Sequence, residues 1–194
     1  PDSITREKLE TMKKYEVSRI SINPQTMNDE TLKLIGRNHS VEDVKEKFNM
    51  ARELGFKDIN MDMIIGLPGE GYKEALNTAR EIKKLKPDSL TVHGLSLKRG
   101  SRLYENFILK KGLGIKNQDE ITKMYNESKE LSKELNLKPY YMYRQKNMVG
   151  NMENIGYAKE GKECIYNMQM IEDTQTIIAL GADAVSKVVF KDEN

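Results

Sequence analysis

Helical and strand periodicities alternate along residues 1–100 of the chain. The spacing of apolar residues predicts a helix over residues 5–15 and a strand over residues 16–23, which ends at Pro24. A short helix follows over residues 29–35. Ser40 is typical of a helix N-cap and Gly55 of a residue that ends a helix, so the amphipathic stretch between them predicts another helix.

Two more strands continue this rhythm, over residues 59–65 and 89–97, with a helix over residues 72–85 between them. Strands and helices that alternate with short links are typical of right-handed parallel crossovers, as in a β/α barrel or a doubly wound sheet. We favour an α/β fold in which residues 1–100 form part of a β/α barrel with about three parallel strands.

The pattern changes in the second half of the chain. A helix over residues 119–135 and strands over residues 140–143 and 185–190 predict an additional α+β subdomain that comprises residues 101–194. The domain boundary is therefore expected between residues 100 and 101.

Polar side chains recur on one face of each predicted parallel strand, because successive strand residues point to opposite faces. The interior of a filled barrel is usually aliphatic, and an unpartnered polar group buried in it costs about 1–3 kcal/mol. A water-filled barrel interior that holds a ligand explains these polar side chains better than a packed aliphatic interior does. The residues concerned include Arg19, Asn60, Asp62 and His93.

Two structural interpretations compete with this one. Arg19 and Asp62 are able to form an internal ion pair, because buried charges are usually paired. His93, taken alone, is more often a hydrogen-bonded core histidine than a catalyst. The carboxyl ends of the strands nevertheless carry Gln25 and Ser96, at the end of the barrel where such enzymes place their active sites.

Composition narrows the class of protein. The 32 basic and 30 acidic side chains leave a formal charge of +2. The net charge is therefore too small to indicate electrostatic binding to nucleic acid or to a membrane surface. Cys164 is the single cysteine, which excludes an intramolecular disulfide and a site with several thiolates from one chain. No apolar run reaches the roughly 20 residues that span a bilayer, so we expect a cytoplasmic protein. The chain opens at Pro1, which favours a truncated sequence.

Three sequence runs identify a family. RISINPQTMNDETLKLIGRNHS (residues 19–40), INMDMIIGLPGE (59–70) and GYAKEGKECIYN (156–167) resemble the oxygen-independent coproporphyrinogen III oxidases of the radical S-adenosylmethionine (SAM) superfamily and their heme-chaperone relatives. The resemblance covers most of the chain. It implies SAM and a [4Fe-4S] cluster held by a CxxxCxxC motif as cofactors, and coproporphyrinogen III as the tetrapyrrole substrate. In that reaction a 5′-deoxyadenosyl radical takes hydrogen from a propionate side chain, and loss of carbon dioxide leaves a vinyl group.

The resemblance also implies a set of SAM-contacting residues: Gln25, Arg37, Asp62, Ser96 and Val185. Asp62 is suited to accept hydrogen bonds from an ammonium or hydroxyl group, and Arg37 to clamp a carboxylate. Without the motif, Arg37 is equally well explained as a solvated helix charge. Asp183 stands where relatives often have glycine, close to Val185.

The cluster motif is missing from this sequence, and one cysteine cannot hold a cluster that needs several thiolates. We therefore predict that the chain alone is inactive and is the C-terminal part of a longer enzyme, with an unidentified electron donor. A heme-binding chaperone of the same family is the alternative. A further expectation is self-association through the exposed first strand, because unpaired strand edges favour pairing with another chain.

Overall fold

The computed structural model describes residues 1–96, 117–145, 148–172, 174–181 and 184–190. These residues form two compact units, Pro1–Glu163 and Cys164–Asn194. The domain boundary expected between residues 100 and 101 lies outside the described residues and stays a prediction.

The described part of the first unit contains five helices, and four of them begin at a capping side chain. The five are α1 (Arg6–Lys14), α2 (Asp29–Leu34), α3 (Val41–Glu53), α4 (Tyr72–Leu85) and α5 (Gln118–Glu134). The side chains of Thr5, Asn28, Ser40 and Asn117 each accept a hydrogen bond from a free backbone N–H of the first turn. The chain leaves α3 through Gly55, whose φ of 84° lies in the left-handed region that glycine adopts most easily.

The strands of the first unit form one mixed sheet. Strands β1 (Arg19–Ser21), β2 (Asp58–Ile65) and β3 (Ser89–Gly94) are parallel, and β4 (Lys138–Tyr143) and β5 (Asn154–Ala158) are antiparallel additions. The strand order is β1-β2-β3-β5-β4. The α/β fold with three parallel strands is thus confirmed.

Two predictions about the strands need correction. The first strand is shorter than residues 16–23, because Glu16 adopts a positive φ of 58° and only residues 19–21 pair with β2. Strand β5, which the sequence pattern did not reveal, joins β3 to β4, so the antiparallel strands extend the same sheet. Leu97, the predicted last residue of the third strand, lies outside the described residues.

One face of the sheet belongs to the hydrophobic core. Its side chains on β2 and β3 are almost fully buried, at 0–1% exposure, and pack in one apolar cluster with helix residues such as Phe48, Ala79 and Tyr125. The sheet members of this cluster are Ile59, Met61, Met63, Ile65, Leu90 and Val92. The alternation of side chains therefore leaves the polar residues of the same strands on the opposite face.

The second unit is small. It contains helix α6 (Ile165–Glu172) and one isolated bridge between Ile177 and Lys187. The predicted strand over residues 185–190 is wrong, because this single bridge is the only strand-type pairing in the described part of the unit. Across the described ranges, no helix is both long and apolar enough to cross a membrane.

Candidate functional site

A row of polar and aromatic residues crosses the sheet on the face opposite the core. The strand register aligns Asp62 of β2 with Thr91 of β3, Thr91 with Gly156 of β5, and Gly156 with Tyr141 of β4. Since partners in register point to the same side, the side chains of Asp62, Thr91 and Tyr141 share one face. The polar residues predicted to lie together are therefore neighbours on the face of the sheet opposite the apolar cluster.

Asp62 is the charged centre of this row. Asn60 Nδ2 donates a hydrogen bond of 2.7 Å to Asp62 Oδ1, and His93 Nε2 lies 3.6 Å from Asp62 Oδ2. Thr91 Oγ1 in turn donates to Asn60 Oδ1 over 3.4 Å. The Asp62 side chain is 15% exposed, so its carboxylate is accessible to solvent although one of its oxygens accepts a hydrogen bond from Asn60.

The alternative ion pair between Arg19 and Asp62 is wrong. Arg19 is in register with Asp58, and its Nη1 donates to Asp58 Oδ1 over 2.7 Å and to the Lys162 carbonyl over 2.8 Å. Burial raises the pKa of the Asp58 carboxyl, and the charges of Arg19 and Lys162 act against that rise. Arg19 is thereby occupied at the amino end of β2, away from the end that Gln25 approaches.

Two tyrosines of β4 complete the polar face. The rings of Tyr141 and Tyr143 are stacked with an angle of 8° between their planes and 6.2 Å between their centroids. Burial raises the pKa of Tyr141 to about 12, although a hydrogen bond with Thr91 acts in the opposite direction. Burial and the charge of Asp62 raise the pKa of Tyr143, which is hydrogen-bonded to Asn154. Both tyrosines are neutral donors near Asp62 at ordinary pH.

The sequence reasoning missed both tyrosines, although a signal was present. Residues 140–143 read YYMY, and strand alternation puts Tyr141 and Tyr143 on one side. What the local pattern lacks is the pairing partner, β5, which brings this side next to Asp62.

Gln25 and Ser96 lie beyond the carboxyl ends of β1 and β3. Gln25 pairs with Met63, and its carbonyl accepts a hydrogen bond of 2.8 Å from Ile64 N, so it flanks the last residues of β2. Ser96 forms a bridge with Met148, one residue after Leu95 N donates to the Ile65 carbonyl. The structure therefore brings Gln25 and Ser96 to the two sides of the end of β2.

Arg37 is exposed in the segment after α2. Its charge helps to lower the pKa of His39, for which burial is the largest cause, and His39 Nε2 contacts the Pro24 carbonyl at 3.3 Å. Arg37 is thus near the segment that carries Gln25, but within the described ranges no hydrogen bond or ion pair joins it to Gln25 or Asp62. Its role in binding stays a prediction.

Val185 belongs to the second unit, where its side chain is 84% exposed. Its predicted contact with SAM also stays a prediction. Asp183, the departure noted beside it, lies outside the described residues.

The polar face has the chemistry that SAM requires. SAM carries an ammonium group, a carboxylate and two ribose hydroxyls, and Asp62, with Gln25 at the adjacent strand end, offers acceptors and donors to such groups. Asn23 Oδ1 is buried with no hydrogen-bond partner among the described residues, and Asn23 alternates with Ser21, which is in register with Asn60. This orphaned acceptor lies at the same end of the sheet as Gln25, so a ligand donor or water there would relieve it.

An iron–sulfur cluster does not fit the residues of this chain. Cys164 is the single cysteine, and the described ranges contain no group of three or more His, Cys, Asp or Glu side chains placed to hold a metal. A cluster held by cysteines therefore requires ligands from outside these 194 residues.

Residues 1–82 match the family model described as the Radical SAM superfamily. The chain belongs to this superfamily, whose members use SAM and a [4Fe-4S] cluster.

Similarity to individual proteins narrows the assignment. The chain is 48% identical over 192 residues to the oxygen-independent coproporphyrinogen-III oxidase-like protein HemZ of Bacillus subtilis, and the match covers 99% of this chain and 38% of HemZ. It is 34% identical over 125 residues to the heme chaperone HemW of the same organism, and this match covers 64% of this chain and 33% of HemW. The chain thus spans well under half the length of these relatives.

A solved structure supports the fold. Coproporphyrinogen III oxidase HemN of Escherichia coli, a radical SAM enzyme, superimposes with a TM-score of 0.66 over 95% of this chain and 42% of HemN, at 19% sequence identity. This match confirms the fold, while the family model and the 48% identity to HemZ confirm the resemblance to the radical SAM family of oxygen-independent coproporphyrinogen oxidases that was read first from the sequence runs.

Proposed function

We propose that this chain forms the SAM-binding end and part of the substrate chamber of a radical SAM enzyme that converts coproporphyrinogen III to protoporphyrinogen IX by oxidative decarboxylation. The observation that supports SAM binding is the partly exposed Asp62, held by Asn60 and next to His93 on the face of the sheet opposite the apolar cluster. The 48% identity to an oxidase-like relative supports the reaction.

Four of the five predicted SAM contacts have a defined task in this proposal. Asp62 would accept hydrogen bonds from the ammonium or ribose hydroxyl groups, and Arg37 would pair with the carboxylate through two parallel N–H donors. Gln25 and the backbone near Ser96 would hold the ligand from the two sides of the end of β2. When bound beside a reduced cluster, SAM supplies the radical that removes hydrogen from the substrate.

The tyrosines favour a substrate with aromatic rings beside this site. Tyr141 and Tyr143 present stacked rings on the same face as Asp62, and aromatic faces pack well against the individual pyrrole rings of a tetrapyrrole. A tetrapyrrole seated there would cover the site and exclude water from the bound SAM. Its carboxylates would require positive or neutral donors, which the two phenols and His93 offer.

A heme chaperone is the second candidate. It is favoured by the similarity to two proteins named heme chaperone HemW, at 34% identity in Bacillus subtilis and 26% in Escherichia coli. A chaperone of this kind would bind heme and release it to a recipient without decarboxylating a porphyrinogen.

One experiment separates the two candidates. The full-length protein is incubated under anaerobic conditions with SAM, a reductant and coproporphyrinogen III, and a parallel sample is titrated with heme. We expect protoporphyrinogen IX to appear with the wild-type protein and to disappear with Asp62→Asn. Tight, transferable heme binding without any decarboxylation would contradict the enzyme and support the chaperone.

A further inference from the structure

The segment that links β1 to α2 is held through the carbonyls of Pro24, Gln25 and Met27 by groups from elsewhere in the fold. The Pro24 carbonyl contacts His39 Nε2 at 3.3 Å, and the Gln25 carbonyl accepts a hydrogen bond of 2.8 Å from Ile64 N. Asn77 Nδ2 donates to the Met27 carbonyl over 3.0 Å. So many contacts from other elements are unusual for a connection between a strand and a helix, because loops normally run over the surface.

A buried carboxylate lies at the centre of these contacts. Glu70 follows the turn after β2 and is only 3% exposed. Thr26 Oγ1 donates to Glu70 Oε1 over 2.5 Å and lies 3.2 Å from Thr78 Oγ1, which itself accepts from Met27 N over 3.0 Å. Thr31 is also hydrogen-bonded to Glu70, and burial raises the pKa of the Glu70 carboxyl.

This arrangement joins three elements around one segment. Thr26 lies in the segment itself, Thr31 in α2 and Thr78 in α4, while Glu70 enters from the carboxyl end of β2. Carboxyl groups are seldom buried without a cation, because removing the charge from water is costly. Among the described residues no Lys or Arg pairs with Glu70. Its carboxyl group is instead hydrogen-bonded to the hydroxyl groups of Thr26 and Thr31.

The backbone of Gln25 shows what the network holds in place. Gln25 has a φ of 70°, in the left-handed region that residues other than glycine seldom adopt. Such a conformation persists only where the surroundings fix it, and it costs on the order of 1–3 kcal/mol. Thr26 is the next residue, so its hydrogen bonds to Glu70 and Thr78 fix the chain immediately after the strained position.

We infer that Glu70 is a positioning residue, which fixes Thr26 and thereby holds Gln25 in the conformation that presents it to the ligand at the end of β2. The inference rests on the proposed function, because it takes Gln25 as a SAM contact. It assigns a ligand-binding role to a carboxylate that itself does not touch the ligand.

Three variants of the full-length protein test the inference. Thr26→Val removes the hydroxyl and keeps the shape of the side chain, and Glu70→Gln keeps an oxygen acceptor for Thr26. Ser128→Ala is the matched control, since Ser128 is 1% exposed and donates over 2.7 Å to the Tyr125 carbonyl, in a part of α5 that does not contact Gln25. Calorimetric binding of SAM and hydrogen–deuterium exchange of the amides of residues 25–27 are measured for each.

We expect Thr26→Val to weaken SAM binding about tenfold and to accelerate exchange in residues 25–27. Glu70→Gln, which keeps one acceptor oxygen for Thr26 but loses the carboxylate, is expected to weaken SAM binding by about threefold, and Ser128→Ala to match the wild type in both measurements. Unchanged SAM affinity in Thr26→Val, with or without faster exchange, would overturn the inference and leave the proposed function standing. A wild-type protein that binds no SAM would overturn the proposed function, and the inference with it.

Discussion

His93 and Asp62 face each other from adjacent parallel strands, with Nε2 3.6 Å from Oδ2. This separation is longer than a hydrogen bond, whereas the other carboxylate oxygen, Oδ1, is held firmly by Asn60 at 2.7 Å. Asp62 is therefore oriented through one oxygen and retains accepting capacity at the other. Such a carboxylate is prepared for a ligand donor, and His93 is positioned beside the same oxygen.

Asp88 is expected to be a main electrostatic contributor to the stability of the first unit. It accepts a hydrogen bond from Ile59 N, and it pairs with Arg52 at 2.7 Å and Lys159 at 2.8 Å. Asp88→Asn should lower the free energy of unfolding by on the order of 2 kcal/mol at pH 7, measured by urea denaturation. Glu130→Gln, which breaks the exposed pair with Lys133, should cost less than about 0.5 kcal/mol.

The effect of Asp88 should depend on pH. Burial raises the pKa of this carboxyl, but Lys159 and Arg52 outweigh burial, so the pKa in the folded protein is below the ordinary value of 3.8. A lowered carboxyl pKa gives stability that is present above the unfolded pKa and is lost as the pH falls through the folded pKa. The difference between wild type and Asp88→Asn should therefore shrink in acid below pH 3.8. A difference that grows there would contradict this assignment.

Glu70 should behave in the opposite way. Burial raises its pKa above the ordinary value of 4.5, so its contribution to stability is fully present below the unfolded pKa and is lost as the pH rises through the folded pKa. Glu70→Gln carries no charge at any pH. Its melting temperature relative to wild type should therefore rise as the pH increases above 4.5. Thermal unfolding of both proteins over that range checks this, and a constant difference would show that Glu70 does not titrate on unfolding.

The position of the Tyr141 ring is predicted to require a glycine at residue 156. A Cβ atom at Gly156 would overlap the Tyr141 ring, with Cε1 as the nearest atom, closer than any real contact. Gly156→Ala should destabilise the protein by about 1–3 kcal/mol, because the ring must move from the polar face. In a Tyr141→Ala background the same substitution should cost much less. Equal costs in the two backgrounds, measured by chemical denaturation, would contradict the proposed packing.

Local sequence patterns predicted the parallel part of the fold well. Helices α1, α3 and α4 have amphipathic spacing and clear caps, and strands β2 and β3 alternate between apolar and polar residues, so their existence follows from short stretches of chain. Strand β5 is only five residues long and contains Gly156, which local propensity disfavours. Its place beside β3 depends on contacts between residues distant in sequence, which a local pattern does not contain.

The candidate site was predicted in the same uneven way. Alternation placed Asn60, Asp62 and His93 on one face, and the structure does so. The partner of Arg19 depends on strand register, which puts it opposite Asp58 rather than Asp62. Glu70 appeared only as the last residue of the run INMDMIIGLPGE, because nothing local shows that Thr26 and Thr31 are hydrogen-bonded to its buried carboxyl group.

In the proposed function, the polar face at the carboxyl ends of β1, β2 and β3 binds SAM through Asp62. Isothermal titration of SAM into the full-length protein, its Asp62→Asn variant and its Asp58→Asn variant tests it most directly, because both aspartates lie on β2 and only Asp62 lies near Gln25 and the strand end. The account predicts that Asp62→Asn weakens binding by roughly ten- to a hundredfold while Asp58→Asn changes it less than about threefold. Equal affinity in all three proteins, or a larger loss in Asp58→Asn, would contradict it.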